Sequence, residues 1–383
     1  MKLYVLLSVT LLLQVTSTLV FGEEENITSQ KHLSEIGEVF PKPPTRPSPT
    51  VFCICVPYHL CRNKTIVRRI SIDIRPNEEP CPNSLDVCCY DQIKPKDTPN
   101  ISYYEHRTFC GHWNSAGVGL GINGHSNDDA QFGEFPWMMA ILKLGANNSK
   151  THLCGGSLIH PKVVLTAAHC VISKNPKDLV IRAGEWDLQT ENELLPSQDH
   201  EVLKIINHEN FDPHVIVNDV SLIIVTKPFL LRENVGTLCL PSPNYVFDRQ
   251  RCYASGWGKK VFGKLAANHV ILKKIDLPVV PRSSCLELLR KTRLGMDYIL
   301  PEGFICAGGE TGKDTCQGDG GNPLMCPIEN RPKQFQQAGI VAWGIGCGNE
   351  IPGMYVDVAL FRNWIDEQMA KEELDTSYYD PDY

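Results

Sequence analysis

Between residues 134 and 369 the chain alternates short apolar runs with turn residues. Runs at 137–143, 156–160, 163–166, 179–183, 202–208 and 220–226 are rich in Val, Ile and Leu and are bounded by Gly, Pro, Asn, Asp or Lys. Many short runs without long helical periodicity predict an all-β barrel or sandwich. One stretch departs from this. Over 359–369, Phe361, Trp364, Ile365 and Met369 recur at three- and four-residue spacing, which predicts a C-terminal helix with one apolar face. Beyond it, residues 370–383 form an acidic, tyrosine-rich tail, which reads as solvated and without order, whether or not Tyr378, Tyr379 or Tyr383 is sulfated.

The first half has a different texture. Lys2 precedes a mostly apolar run to Val20, interrupted by Gln14, Thr16, Ser17 and Thr18, and Glu23-Glu24-Glu25 follows Gly22. That is the pattern of a secretory signal over 1–22, and no second apolar span suggests a membrane segment. Residues 23–50 are polar and then proline-rich (Pro41, Pro43, Pro44, Pro47, Pro49), the composition of an extended linker. Residues 51–90 hold Cys53, Cys55, Cys61, Cys81, Cys88 and Cys89. A module of this size buries too little apolar surface to fold unaided, so three bridges are expected, with fifteen pairings open from spacing alone. Within it, 67–74 suits a strand. Residues 91–133 read as a connector to the large domain at 134–369.

All sixteen cysteines suit a disulfide framework in a secreted chain. Four glycosylation sequons begin at Asn26, Asn63, Asn100 and Asn147. The formal net charge of -7 argues against a nucleic-acid binder. The twelve histidines show no metal-ligand spacing. The acidic run from Glu185 through Asp187 to Glu193 reads as a calcium loop or as a solvated loop, and both readings stay open.

Three motifs carry chemistry. Leu165-Thr-Ala-Ala-His169-Cys170 follows Cys154-Gly-Gly-Ser-Leu158; then comes Asn218-Asp219-Val-Ser-Leu222, and finally Cys316-Gln-Gly-Asp-Gly320-Gly-Asn322-Pro-Leu324. Nucleophilic acyl transfer by a hydroxyl needs a base beside it and a carboxylate orienting that base. The order His169, Asp219, position 320, with Trp257-Gly258 and Val341-Ala-Trp343-Gly344 around them, resembles the chymotrypsin family. The cysteine order before it, with Cys53-Ile-Cys55-Val-Pro-Tyr58, resembles the clip domain of arthropod secreted proteases. The resemblance implies a double β-barrel with a C-terminal helix. It also implies the pairs Cys53–Cys88, Cys55–Cys81, Cys61–Cys89, Cys110–Cys239, Cys154–Cys170, Cys252–Cys326, Cys285–Cys306 and Cys316–Cys347, which leave no cysteine over.

The departures from that family are as informative as the matches. Gly320 stands where the nucleophilic serine is expected, and in a protease of the same triad losing that serine costs about 10⁶ in turnover. Asn322 replaces a glycine, and its Cβ is expected to crowd a tight loop. Ala342 replaces a serine that supports the buried aspartate. Gly121 precedes Ile122-Asn-Gly-His125, so no trypsin-like cut is expected there; Asp319 then lacks the amine it normally pairs with, and the pocket loops are expected to stay zymogen-like. Other basic sites for processing are Arg68-Arg69 and Arg107. Asp314, Gly344 and Gly353 match a pocket for Arg or Lys, with an inherited remnant facing solvent as the equal alternative. The whole resembles clip-domain serine protease homologues of the prophenoloxidase-activating cofactor and masquerade-like branch. That implies a secreted, non-cutting scaffold of hemolymph immunity and melanization, binding prophenoloxidase or clip-domain proteases and allowing a homo-oligomer after processing. The alternatives are a decoy inhibitor of the venom type, a weak protease with a substitute nucleophile, and an adhesion role.

Overall fold

The computed structural model describes residues 54–57, 86–89, 109–119, 128–190, 193–258 and 270–383. The signal and linker segments, the 67–74 strand, the three clip bridges, the sequons at Asn26, Asn63 and Asn100, the basic sites Arg68-Arg69 and Arg107, and the 122–125 segment lie outside the described residues. The chain divides into two units, Met1–Asp91 and Gln92–Tyr383. In the first, β1 (Ile54–Pro57) pairs antiparallel with β2 (Asp86–Cys89), with Cys55 opposite Cys88.

The second unit is two closed six-stranded barrels. In the first barrel, β3 (Met138–Leu144), β4 (Lys150–His160), β5 (Val163–Thr166), β6 (Leu179–Ala183), β7 (Gln198–Asn207) and β8 (Ser221–Val225) close in the order β3-β4-β5-β8-β7-β6. In the second, β9 (Arg251–Gly256), β10 (Lys273–Val280), β11 (Phe304–Gly308), β12 (Pro323–Ile328), β13 (Arg331–Trp343) and β14 (Pro352–Asp357) close in the order β10-β11-β14-β13-β12-β9. Closure pairs every strand on both sides and so removes exposed edges. The central strands are continuous buried runs; Val163–Thr166 and Ser221–Val225 are buried throughout. Each fully buried Val, Leu or Ile contributes about 1.5–3 kcal/mol.

The barrels meet across a seam of large side chains. Trp137, Trp257, Met325 and Phe335 are buried in one cluster there, and the Trp137 indole donates to Met325 Sδ at 2.7 Å. Ser157 donates to Gln337 Oε1 at 2.6 Å, a buried polar clasp between β4 and β13.

The C-terminal helix α3 covers Val358–Lys371, two residues longer at its C-terminus than the pattern predicts. Asp357 caps it, accepting from the Ala359 amide at 3.1 Å. Phe361, Ile365 and Met369, four residues apart, form its buried face. A second helix, Arg282–Arg290, was not legible in the pattern, because only Cys285 and Leu289 of its nine residues are buried. A disulfide from Cys285 to Cys306 ties it to the second barrel.

The tail corrects the expectation of a solvated segment. Tyr379 is fully buried. Its hydroxyl donates to Asp366 Oδ1 at 2.7 Å, the Arg362 guanidinium lies 5.0 Å from its ring centre, and its carbonyl accepts from the Leu240 amide at 2.9 Å. One aromatic ring in a pocket outweighs the polar texture around it.

Candidate functional site

The site lies where the two barrels face each other. On the first barrel, β5 ends at Thr166 and the chain turns into a one-turn helix, Ala168–Val171, which presents His169. The Cys154–Cys170 disulfide fastens that turn to β4. Asp219, fully buried just before β8, accepts from the His169 backbone amide at 2.7 Å and lies 2.6 Å from His169 Nδ1. One carboxylate thus fixes both the backbone and the ring of His169.

On the second barrel, the loop 316–322 leads into β12. Its Asp319 amide donates to the Cys316 carbonyl, the Asn322 amide to the Asp319 carbonyl, and Gly155 of β4 reaches across to the Gly320 carbonyl at 2.9 Å. Gly321 has φ +82°, and a Cβ there would come within 2.4 Å of Gly155 O, so this position requires glycine. Gly320 faces the histidine: a Cβ built on it would lie 2.8 Å from His169 Nε2. The ring therefore leans into room that any side chain at 320 would take.

The structure changes one expectation about this loop. Asn322 does not crowd it. Asn322 is not in the left-handed region, and its buried side chain fills the room left by two glycines; a Cβ on Gly155 would lie 1.6 Å from Asn322 Oδ1, and one on Gly256 would lie 2.3 Å from Asn322 Nδ2. At Asp319, backbone amides are the nearest donors among the described residues. Its oxygens accept from the Gly258 amide at 2.8 Å and the Cys316 amide at 2.9 Å. Burial still pushes its carboxyl up to about 6.

Asp314, Gly344 and Gly353 line one cavity of about 240 Å³ together with His169, Gly320 and Ala342. Asp314 Oδ2 accepts from the Gly348 amide at 3.1 Å, while its Oδ1 is buried with no hydrogen-bond partner. Burial pushes this carboxyl up to about 6. A Cβ on Gly353 would lie 3.3 Å from Asp314 Oδ1, so that glycine leaves room beside the carboxylate; a Cβ on Gly344 would meet only the Gly346 carbonyl, at 3.5 Å. The shape and the buried anion suit a long cationic side chain.

The remaining candidate residues are placed as follows. Cys110–Cys239, Cys252–Cys326 and Cys316–Cys347 are bonded, as are the two pairs already described. Asn147 is exposed on the turn between β3 and β4 at φ +58°. Glu185 is buried, and both its oxygens are engaged: Arg182 Nη1 donates to one at 2.9 Å and the Trp186 amide to the other at 2.9 Å. Arg182 also grips Asp199. Among the described residues, Arg182 is thus the cation that these two carboxylates share. Among the described residues, the one His/Cys group compact enough for a metal is Cys154, His169 and Cys170, and its two sulfurs are bonded to each other.

Known proteins share this arrangement. A family model described as Trypsin matches residues 124–365, and one described as Serine protease Clip domain PPAF-2 matches residues 42–90. Phenoloxidase-activating factor 2 of Galleria mellonella is 46% identical over 302 residues, covering 76% of this chain and 99% of that protein. Inactive CLIP domain-containing serine protease A28 of Anopheles gambiae is 35% identical over 357 residues, covering 85% of this chain and 90% of that protein. Inactive CLIP domain-containing serine protease A8 of the same organism is 36% identical, covering 81% and 87%. With both domains matched, both barrels closed and the histidine and aspartate joined across the first of them, the chain belongs to the trypsin family, among its clip-domain serine protease homologues.

Proposed function

We propose that this chain is a secreted, non-cutting partner protein that promotes activation of phenoloxidase in the melanization cascade. The observation that carries the reading is Gly320: the base and its carboxylate are assembled, and the atom they would activate is missing. Peptide hydrolysis through a serine at this place is therefore closed. What remains is a cleft with a buried anion at Asp314, able to hold a basic side chain of a clip-domain protease or of prophenoloxidase without cleaving it. Two kinds of relative support the reading, one named as a phenoloxidase-activating factor and the others as inactive clip-domain proteases.

Purified chain added to arthropod plasma with an activating protease should raise phenoloxidase activity. A fall instead would show a decoy that occupies the same partners. Steady turnover of an arginine p-nitroanilide, abolished by His169→Ala, would overturn the non-cutting reading.

A further inference from the structure

The geometry points to His169 as a nucleophile in its own right, one that reacts with activated aryl esters and leaves peptide bonds intact. Loss of the serine does not merely subtract a group. It leaves an oriented imidazole with its Nε2 turned toward the empty position. Asp219 holds the ring through Nδ1 at 2.6 Å, the tautomer that places the lone pair on Nε2. The His169 side chain is 31% exposed and borders the cavity that Asp314, Gly318 and Gly320 also line. With only hydrogen on the Gly320 Cα, no side chain from position 320 stands between Nε2 and the cavity, whereas a Cβ there would lie 2.8 Å from it; the Cys170 sulfur, 3.5 Å from Nε2, bounds its other side.

The step balances as follows. The Nε2 lone pair attacks the ester carbonyl carbon, a C–N bond forms, the C–O bond breaks, and p-nitrophenolate leaves with the electron pair. The acyl-imidazolium that results carries a positive charge beside the Asp219 carboxylate. Water then attacks the acyl carbon, the C–N bond breaks, and the acid and a proton are released as the imidazole is restored. An amide is not cleaved this way. Its amine leaves only with a proton from a general acid, and the imidazole that would supply it is already bonded to the acyl group. Asp314 at the cavity base favours acyl groups that carry a cation.

The inference rests on the vacant nucleophile position of the proposed function, and a matched pair of substrates separates the two. Arginine p-nitrophenyl ester and arginine p-nitroanilide differ only in the leaving group. The full-length protein should hydrolyse the ester faster than His169→Ala by on the order of tenfold, and rapid acid quench with peptide mass spectrometry should find the acyl group on His169. Gly320→Ala, whose methyl group fills the room beside Nε2, should slow the ester to a similar extent while the protein still unfolds cooperatively. Equal ester rates in all three proteins, or an adduct on another residue, overturn the inference alone. Anilide turnover would instead overturn the non-cutting reading.

Discussion

The two halves of the cleft have been treated differently. The half built on the first barrel keeps every atom of its chemistry: His169, Asp219, and the disulfide that positions them. The half built on the second barrel keeps the pocket that would hold a side chain, and has glycine at 320 and alanine at 342. The difference follows from what each group does for the fold. Asp219 is a buried charge bonded to a backbone amide and a ring, so its loss would unseat a turn of the first barrel. A hydroxyl at 320 would serve chemistry alone, since the loop is held by the backbone bonds of Gly155, Asp319 and Asn322. Chemistry that carries no packing can be removed cheaply, and a grip can outlast a cut.

The comparison breaks first at Asp219. Asp219→Ala should lower stability by about 3–5 kcal/mol in urea unfolding, since it strips a buried network of its anion; a change below about 1 kcal/mol would mean that the first half is not tied to the fold. Replacing Cys154 and Cys170 together with serine opens a loop with a sequence separation of 16 and should cost about 3 kcal/mol, read as a lower unfolding midpoint. At the junction of the halves, Gly155→Ala drives a methyl group into Asn322 and should cost about 1–3 kcal/mol. Adding Asn322→Gly should recover most of that loss in a double-mutant cycle. The smallest effect belongs to the second half. The folded carboxyl of Asp314 sits at about 6, above its ordinary value of 3.8, so the stability it contributes in the protonated form is lost as pH rises through that window. Asp314→Asn should therefore raise the melting temperature at pH 8 by about 2–4 °C, equivalent to about 1 kcal/mol, and by nearly nothing at pH 4. A difference that does not depend on pH would show that Asp314 is solvated.

Much of this was readable in the residues. Six apolar runs foretold the strands of the first barrel, most plainly β5 and β8, because fully buried strands leave unbroken Val, Leu and Ile behind them. His169, Asp219 and position 320 were legible because each sits in a local motif. Asp314, Gly344 and Gly353 were legible through the same resemblance, and the structure adds that they share one cavity. Other features had no local signature. The room for Asn322 is made by Gly155 and Gly256, which lie 167 and 66 positions earlier in the sequence. Arg182 meets Asp199 only once β6 pairs with β7. Tyr379 is one ring in an acidic stretch with no periodicity, and its burial depends on Arg362, Asp366 and Leu240.

The lean of His169 over Gly320 means that a serine there would meet an imidazole seated for glycine. A single codon change bringing serine back would set its Cβ against the imidazole at 2.8 Å, and the ring would have to retreat before the hydroxyl could be of use. Restoring the hydroxyl alone would therefore not restore the geometry it needs.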